Sequence, residues 1–130
     1  MQVTRKMKND KQDNLLEELL REKAAVLSRA GMAVDEAIEQ LMRMDREIKA
    51  KISFLNSFNG DKHVLNIPQE EQLILEEINL SIDQFNTTHQ KAQLQYYYLI
   101  VTREALGLRR HEMIQEIYRI PDKKEKMRIS

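Results

Sequence analysis

The feature that most constrains this chain is a seven-residue spacing of apolar side chains. Leu20, Leu27, Val34, Leu41, Ile48 and Leu55 stand seven apart, and four residues on from these run Ala24, Gly31, Ile38, Asp45 and Ile52. Alternating steps of four and three lay one stripe along a helix, the seam by which two helices supercoil. No proline interrupts residues 14–57. The spacing therefore predicts one helix there, roughly 65 Å long at 1.5 Å per residue. Two members of the stripe are unusual. Gly31 is about 1 kcal/mol worse than alanine inside a helix, which calls for a close neighbour. Asp45 is a carboxylate in an apolar seam and is expected to set register, as buried polar groups do in coiled coils.

The first helix should stop within "FLNSFNGDKHVLN", where Asn59-Gly60-Asp61 offers a C-terminal glycine and then turn chemistry. Phe58, Val64, Leu65 and Ile67 in this connection are expected to fold back over the helix ends. A second helix opens near Asn66 or Ile67, with Pro68 in the first turn, where its missing N–H is harmless. Glu70 and Glu71 complement the positive end of its dipole. The seam resumes as Leu75, Ile78, Ile82, Phe85, His89, Ala92, Tyr96, Leu99, Arg103 and Leu106, so this helix is predicted over 67–106. Two rods joined by so short a turn must be antiparallel. Pairing about the turn sets Gly31 near Tyr96 and Glu22 within reach of Arg103.

Gly107 should end the second helix. "LRRHEMIQEIYRIP" then predicts a short third helix over about 109–119, with Met113, Ile114, Ile117 and Ile120 spaced to fold onto the hairpin. Residues 1–13 and 121–130 are charged and expected to fray. The fold class is all-α: an antiparallel coiled-coil-like hairpin (14–57 and 67–106) with a short third helix, in one domain spanning 1–130.

From Leu94 to Val101 the second helix is apolar on nearly every side, and such a helix is normally buried all round. Its seam accounts for Tyr96 and Leu99 only. Leu94, Tyr97, Tyr98, Ile100 and Val101, with Leu108 beyond, form a candidate partner surface. A homodimer in which two hairpins build a four-helix core is the expected cover, and another protein is the other candidate. Asp45, His89 and Arg103 are candidate polar register residues within the seam.

Function is far less legible. With 21 basic and 21 acidic residues the chain is balanced, which argues against a protein that coats nucleic acid or an anionic membrane. Zero cysteines exclude thiolate catalysis and cysteine-ligated metals, and fit a reducing compartment. No apolar run approaches the 18 or so residues that span a bilayer, and "MQVTRKMKNDKQDN" has no apolar core of a secretory signal. The cytoplasm is the expected location. The residues three before His63, His89 and His111 are Gly60, Asn86 and Leu108, so the Glu-x-x-His pairs of a di-iron bundle are missing. No glycine-rich loop could cradle a phosphate. The hydroxyls Thr87, Thr88 and Thr102 lie mid-helix, where backbone N–H groups are already used. No enzyme activity, metal or cofactor is expected. The resulting expectation is a protein that works by protein–protein contact, as an adaptor, chaperone-like factor or regulatory subunit. The alternative treats "REALGLRRHE" as a helix–turn–helix, with Arg109, Arg110, Arg119 and the basic tail meeting phosphates. Acids at Glu104, Glu112 and Glu116 dilute that charge.

Overall fold

The computed structural model describes residues 2–60 and 67–128, with side chains over 6–57 and 69–128. It is all-helical: α1 (Gln2–Gly60), α2 (Ile67–Ala105) and α3 (Glu112–Ile117), with no strand among the described residues. At 1.5 Å per residue the 59 residues of α1 extend about 88 Å and the 39 of α2 about 58 Å. The six residues between them can reach no more than about 25 Å. So α2 must run back along α1, and the two pack against each other over one hydrophobic core. The part expected of Phe58, Val64, Leu65 and Ile67 lies outside the side chains described.

The α2 seam is buried as its spacing requires. Leu75, Ile78, Ile82, Phe85, His89, Ala92 and Leu99 are buried, and Tyr96, Arg103 and Leu106 are half-buried. From α1, Val34, Ala37, Leu41, Ile48 and Leu55 are buried. Of the set four residues on, only Gly31 is buried, Ala24 is exposed, and Ile38, Asp45 and Ile52 are half-buried. That flank of α1 does not meet α2 squarely. The C-terminal segment covers part of it.

Both chain ends depart from expectation. The helix begins at Gln2, not near residue 14. Residues 2–13 contain neither proline nor glycine, and extending an established helix adds a hydrogen bond for each residue fixed. Their lack of apolar periodicity said nothing against helix; it said only that nothing packs there. Every side chain from Lys6 to Glu22 is indeed exposed. At the other end, residues 118–128 are non-helical, yet they are tied to the hairpin by the contacts described below.

Gly107 performs the expected stop. Its φ of 89° is left-handed. Leu108 N–H donates to Arg103 O (2.8 Å) and Gly107 N–H to Glu104 O (3.0 Å), the two bonds that close a helix by a Schellman turn. The third helix is shorter than predicted, Glu112–Ile117, and the His111 side chain makes no capping bond at its start. Met113 (72% exposed) and Ile117 (62%) do not fold onto the hairpin. Ile114 is half-buried, and only Ile120 of the four packs against the core.

Candidate functional site

Two surfaces meet the description of a site: a groove on one flank of the hairpin, already filled, and an open stripe along α2. The groove holds residues 118–128. Asn86 Nδ2 donates to Lys124 O (2.8 Å) while Lys124 N–H donates to Asn86 Oδ1 (2.9 Å). One heptad earlier on α2, Asn79 Nδ2 donates to Met127 O (3.0 Å) and Met127 N–H to Asn79 Oδ1 (2.8 Å). Each amide thus satisfies the backbone donor and acceptor of one tail residue. Seven helical residues advance about 10.5 Å, and three residues of extended chain about 10 Å. The two clasps therefore fit a chain that runs nearly straight along the helix.

The α1 side of the groove is built from the flank that α2 leaves free. Asp45 pairs with Lys124 of the tail and with Lys49 (2.9 Å) one turn along its own helix. The Lys124 ammonium also lies 5.1 Å from the centre of the Phe85 ring, an attraction worth about 0.5–2 kcal/mol depending on desolvation. Hydrogen bonds from Lys124 and then Lys49 hold the Asp45 carboxyl below the usual carboxylate range, against the opposing effect of burial. Asp45 therefore does something other than pair α1 with α2: it anchors the tail. Upstream, a Cβ added to Gly31 would lie 2.7 Å from the Tyr118 hydroxyl. The close neighbour that Gly31 calls for is Tyr118, not Tyr96. Burial, with the Asp35 carboxylate adding to it, pushes the Tyr118 phenol above its ordinary value.

His89 is buried, as the seam predicts, and its Nδ1 has no hydrogen-bond partner among the described residues. It lines a cleft of about 570 Å³ with Gln93, Tyr96, Ile120, Asp122 and Lys123, where the tail enters the groove. Arg103 is not paired with Glu22, which is exposed. Its Nε donates to His111 Nδ1 (3.3 Å) and its Nη2 to Arg110 O (2.9 Å), while His111 Nε2 lies 3.2 Å from Glu104 Oε1. This cluster fixes the turn between α2 and α3.

The open stripe contains the predicted partner surface. Leu94, Tyr97 (61% exposed), Tyr98, Val101 and Leu108 are exposed, and Ile100 is half-buried. The Tyr97 and Tyr98 rings sit 6.2 Å apart with a 52° tilt. Leu73 (65%) and Leu80 are exposed on the same face. They complete a second heptad series on α2, Leu73, Leu80, Thr87, Leu94 and Val101, separate from the buried seam. Its signal was plain, but it is interrupted at Thr87 and flanked by acids at Glu76, Glu77 and Asp83. Arg109, Arg110 and Arg119 are all exposed, the first two before α3 and the third after it. A helix of six residues is short for a groove reader.

Among the described residues no group of three histidines, cysteines or acids could hold a metal, and no helix is long and apolar enough to cross a membrane. The chain matches no protein-family model, no curated protein and no solved structure.

Proposed function

We propose that this protein acts by protein–protein contact, as an adaptor, chaperone-like factor or regulatory subunit without catalysis, and that it self-associates through α2. The observation that carries this reading is the outer heptad of α2. Four apolar residues of one series, Leu73, Leu80, Leu94 and Val101, stay exposed, with Tyr97 and Tyr98 beside them. Seven-residue spacing over a surface that long is the pattern by which helices pair. Exposed apolar stripes of this kind mark contact sites more often than they occur by chance on a monomer. Two hairpins joined along this stripe make a four-helix core. The cysteine-free composition suits a reducing compartment such as the cytoplasm.

Sedimentation equilibrium tests the reading directly. The chain is expected to dimerise, and Leu94→Ser with Tyr97→Ser to shift it to monomer while far-UV dichroism keeps the helical signal. A monomer at every concentration would remove self-association, and binding to generic duplex DNA that weakens steeply with salt would favour the nucleic-acid alternative.

A further inference from the structure

We propose that the groove between α1 and α2 is a recognition site for an extended, lysine-bearing peptide segment of another protein, with residues 120–127 as its resident, displaceable occupant. The inference stands on the filled flank of the hairpin and does not depend on the outer stripe of α2.

The grip is on the main chain. All four clasp bonds go to the backbone N–H and C=O of Lys124 and Met127. A segment with a threefold, polyproline-II-like twist turns the N–H and C=O of every third residue to the same side, so the clasp fixes register without demanding a sequence. Selectivity comes from beside it. The Asp45 carboxylate and the Phe85 ring meet at one cation, Lys124, and Asp83 reaches a second, Lys126, at 3.3 Å. Ile120 and Met127 pack against the core. The accepted segment therefore carries an apolar residue, a lysine four residues later and another apolar residue three beyond that.

The resident segment leaves part of the site unused. Side-chain amides recur every seven residues of α2, at Gln72, Asn79, Asn86 and Gln93. In the register set by the two clasps, Gln93 falls opposite Pro121, which has no N–H to give. This is also where the cleft lies and where His89 Nδ1 has no partner. A segment with an ordinary residue at that place offers the donor that the tail lacks.

Undocking the tail costs little at α3, because Met113 and Ile117 are already exposed. A non-helical strap on few apolar contacts opens at lower free energy than the helices beneath it. Tethering helps the tail through an effective concentration in the millimolar range, and an incoming segment must overcome that advantage.

The test uses the full chain and a fluorescent peptide spanning Tyr118–Arg128. By hydrogen exchange, the Lys124 and Met127 amides are expected to exchange much faster than those of Ile82 and Phe85. The peptide should bind a chain whose own tail is weakened (Lys124→Ala, Met127→Ala) at least about tenfold tighter than the unaltered chain, because the tethered competitor has lost its ion pair with Asp45 and its Met127 packing and keeps only the backbone clasps. Adding Asn79→Ala and Asn86→Ala should abolish that gain, and a Lys124→Glu peptide should not bind. Three results would overturn the proposal: tail amides protected as well as the core, binding indifferent to the two asparagines, or capture only as tails exchanged between two copies, seen as a dimer joined by its tails. None of these readouts depends on Leu94 or Tyr97.

Discussion

The two faces of α2 carry the same seven-residue rhythm and have opposite fates. The inner face, Leu75, Ile78, Ile82, Phe85, Ala92 and Leu99, is buried, while Leu73, Leu80, Leu94 and Val101 on the outer face remain open. Periodicity marks where a helix can be covered, not whether one chain supplies the cover. Step spacing separates the faces. From Leu75 to Leu99 the inner series has an apolar or histidine residue at every step of three and four, so its stripe is continuous there. The outer one has Glu76, Glu77 and Asp83 between its leucines and becomes continuous only around Tyr97 and Tyr98.

The contrast can be broken most forcefully at Phe85. Phe85→Ala removes the largest fully buried side chain and is expected to cost about 3–5 kcal/mol in denaturant unfolding. Leu80→Ala on the open face should stay within about 0.5 kcal/mol at concentrations too low for the chain to self-associate, and cost more where the stripe is paired. If the two losses were comparable even at low concentration, folding would be coupled to association. The groove flank should give an intermediate answer. Asn86→Ala removes two hydrogen bonds from the tail, about 1–2 kcal/mol of docking. The loss is visible as faster proteolysis after Lys123 and Lys124 with unchanged core exchange.

Acid sharpens the same division. The folded Asp45 carboxyl titrates below its unfolded value of 3.8, so the unfolded or undocked form takes up the proton first. Its stabilising contribution is present above about pH 4 and fades as pH falls through the depressed folded value. Tail docking should therefore loosen at acid pH through this group, and Asp45→Asn should flatten that part of the profile. A small effect is also expected at Gly31. Gly31→Ala gains about 1 kcal/mol of helix propensity and displaces only the far end of Tyr118. A net change within about 1 kcal/mol in thermal unfolding is expected, whereas Gly31→Leu should evict the tyrosine and with it the start of the tail.

The all-helical class, the stop at Gly107 and the α2 seam were legible because each is a local or periodic signal. The role of Asp45 was not. A polar residue in a seam looks the same whether it faces a helix or a strap, and the strap's own sequence, "IPDKKEKM", reads as solvated charge. Its attachment depends on Asn79 and Asn86, whose spacing acquires meaning only when an extended chain lies alongside. Tyr118 was missed as the neighbour of Gly31 for a related reason: pairing about the turn considers two helices and has no place for a third segment. The exposed tyrosines were found because apolar excess on a helix needs no partner to be counted.

The amide column makes α2 a ruler that counts an adjoining chain in threes. Its marks fall about 10.5 Å apart and those of the strap about 10 Å, so the two scales behave as a vernier, coinciding over two or three marks before they drift. Such a gauge has a reading frame. One residue inserted between Lys124 and Met127 would bring the wrong peptide unit to Asn79, and one inserted between Asn79 and Asn86 would turn the next amide about 100° out of the groove. Length, more than composition, is what this flank of the hairpin holds constant.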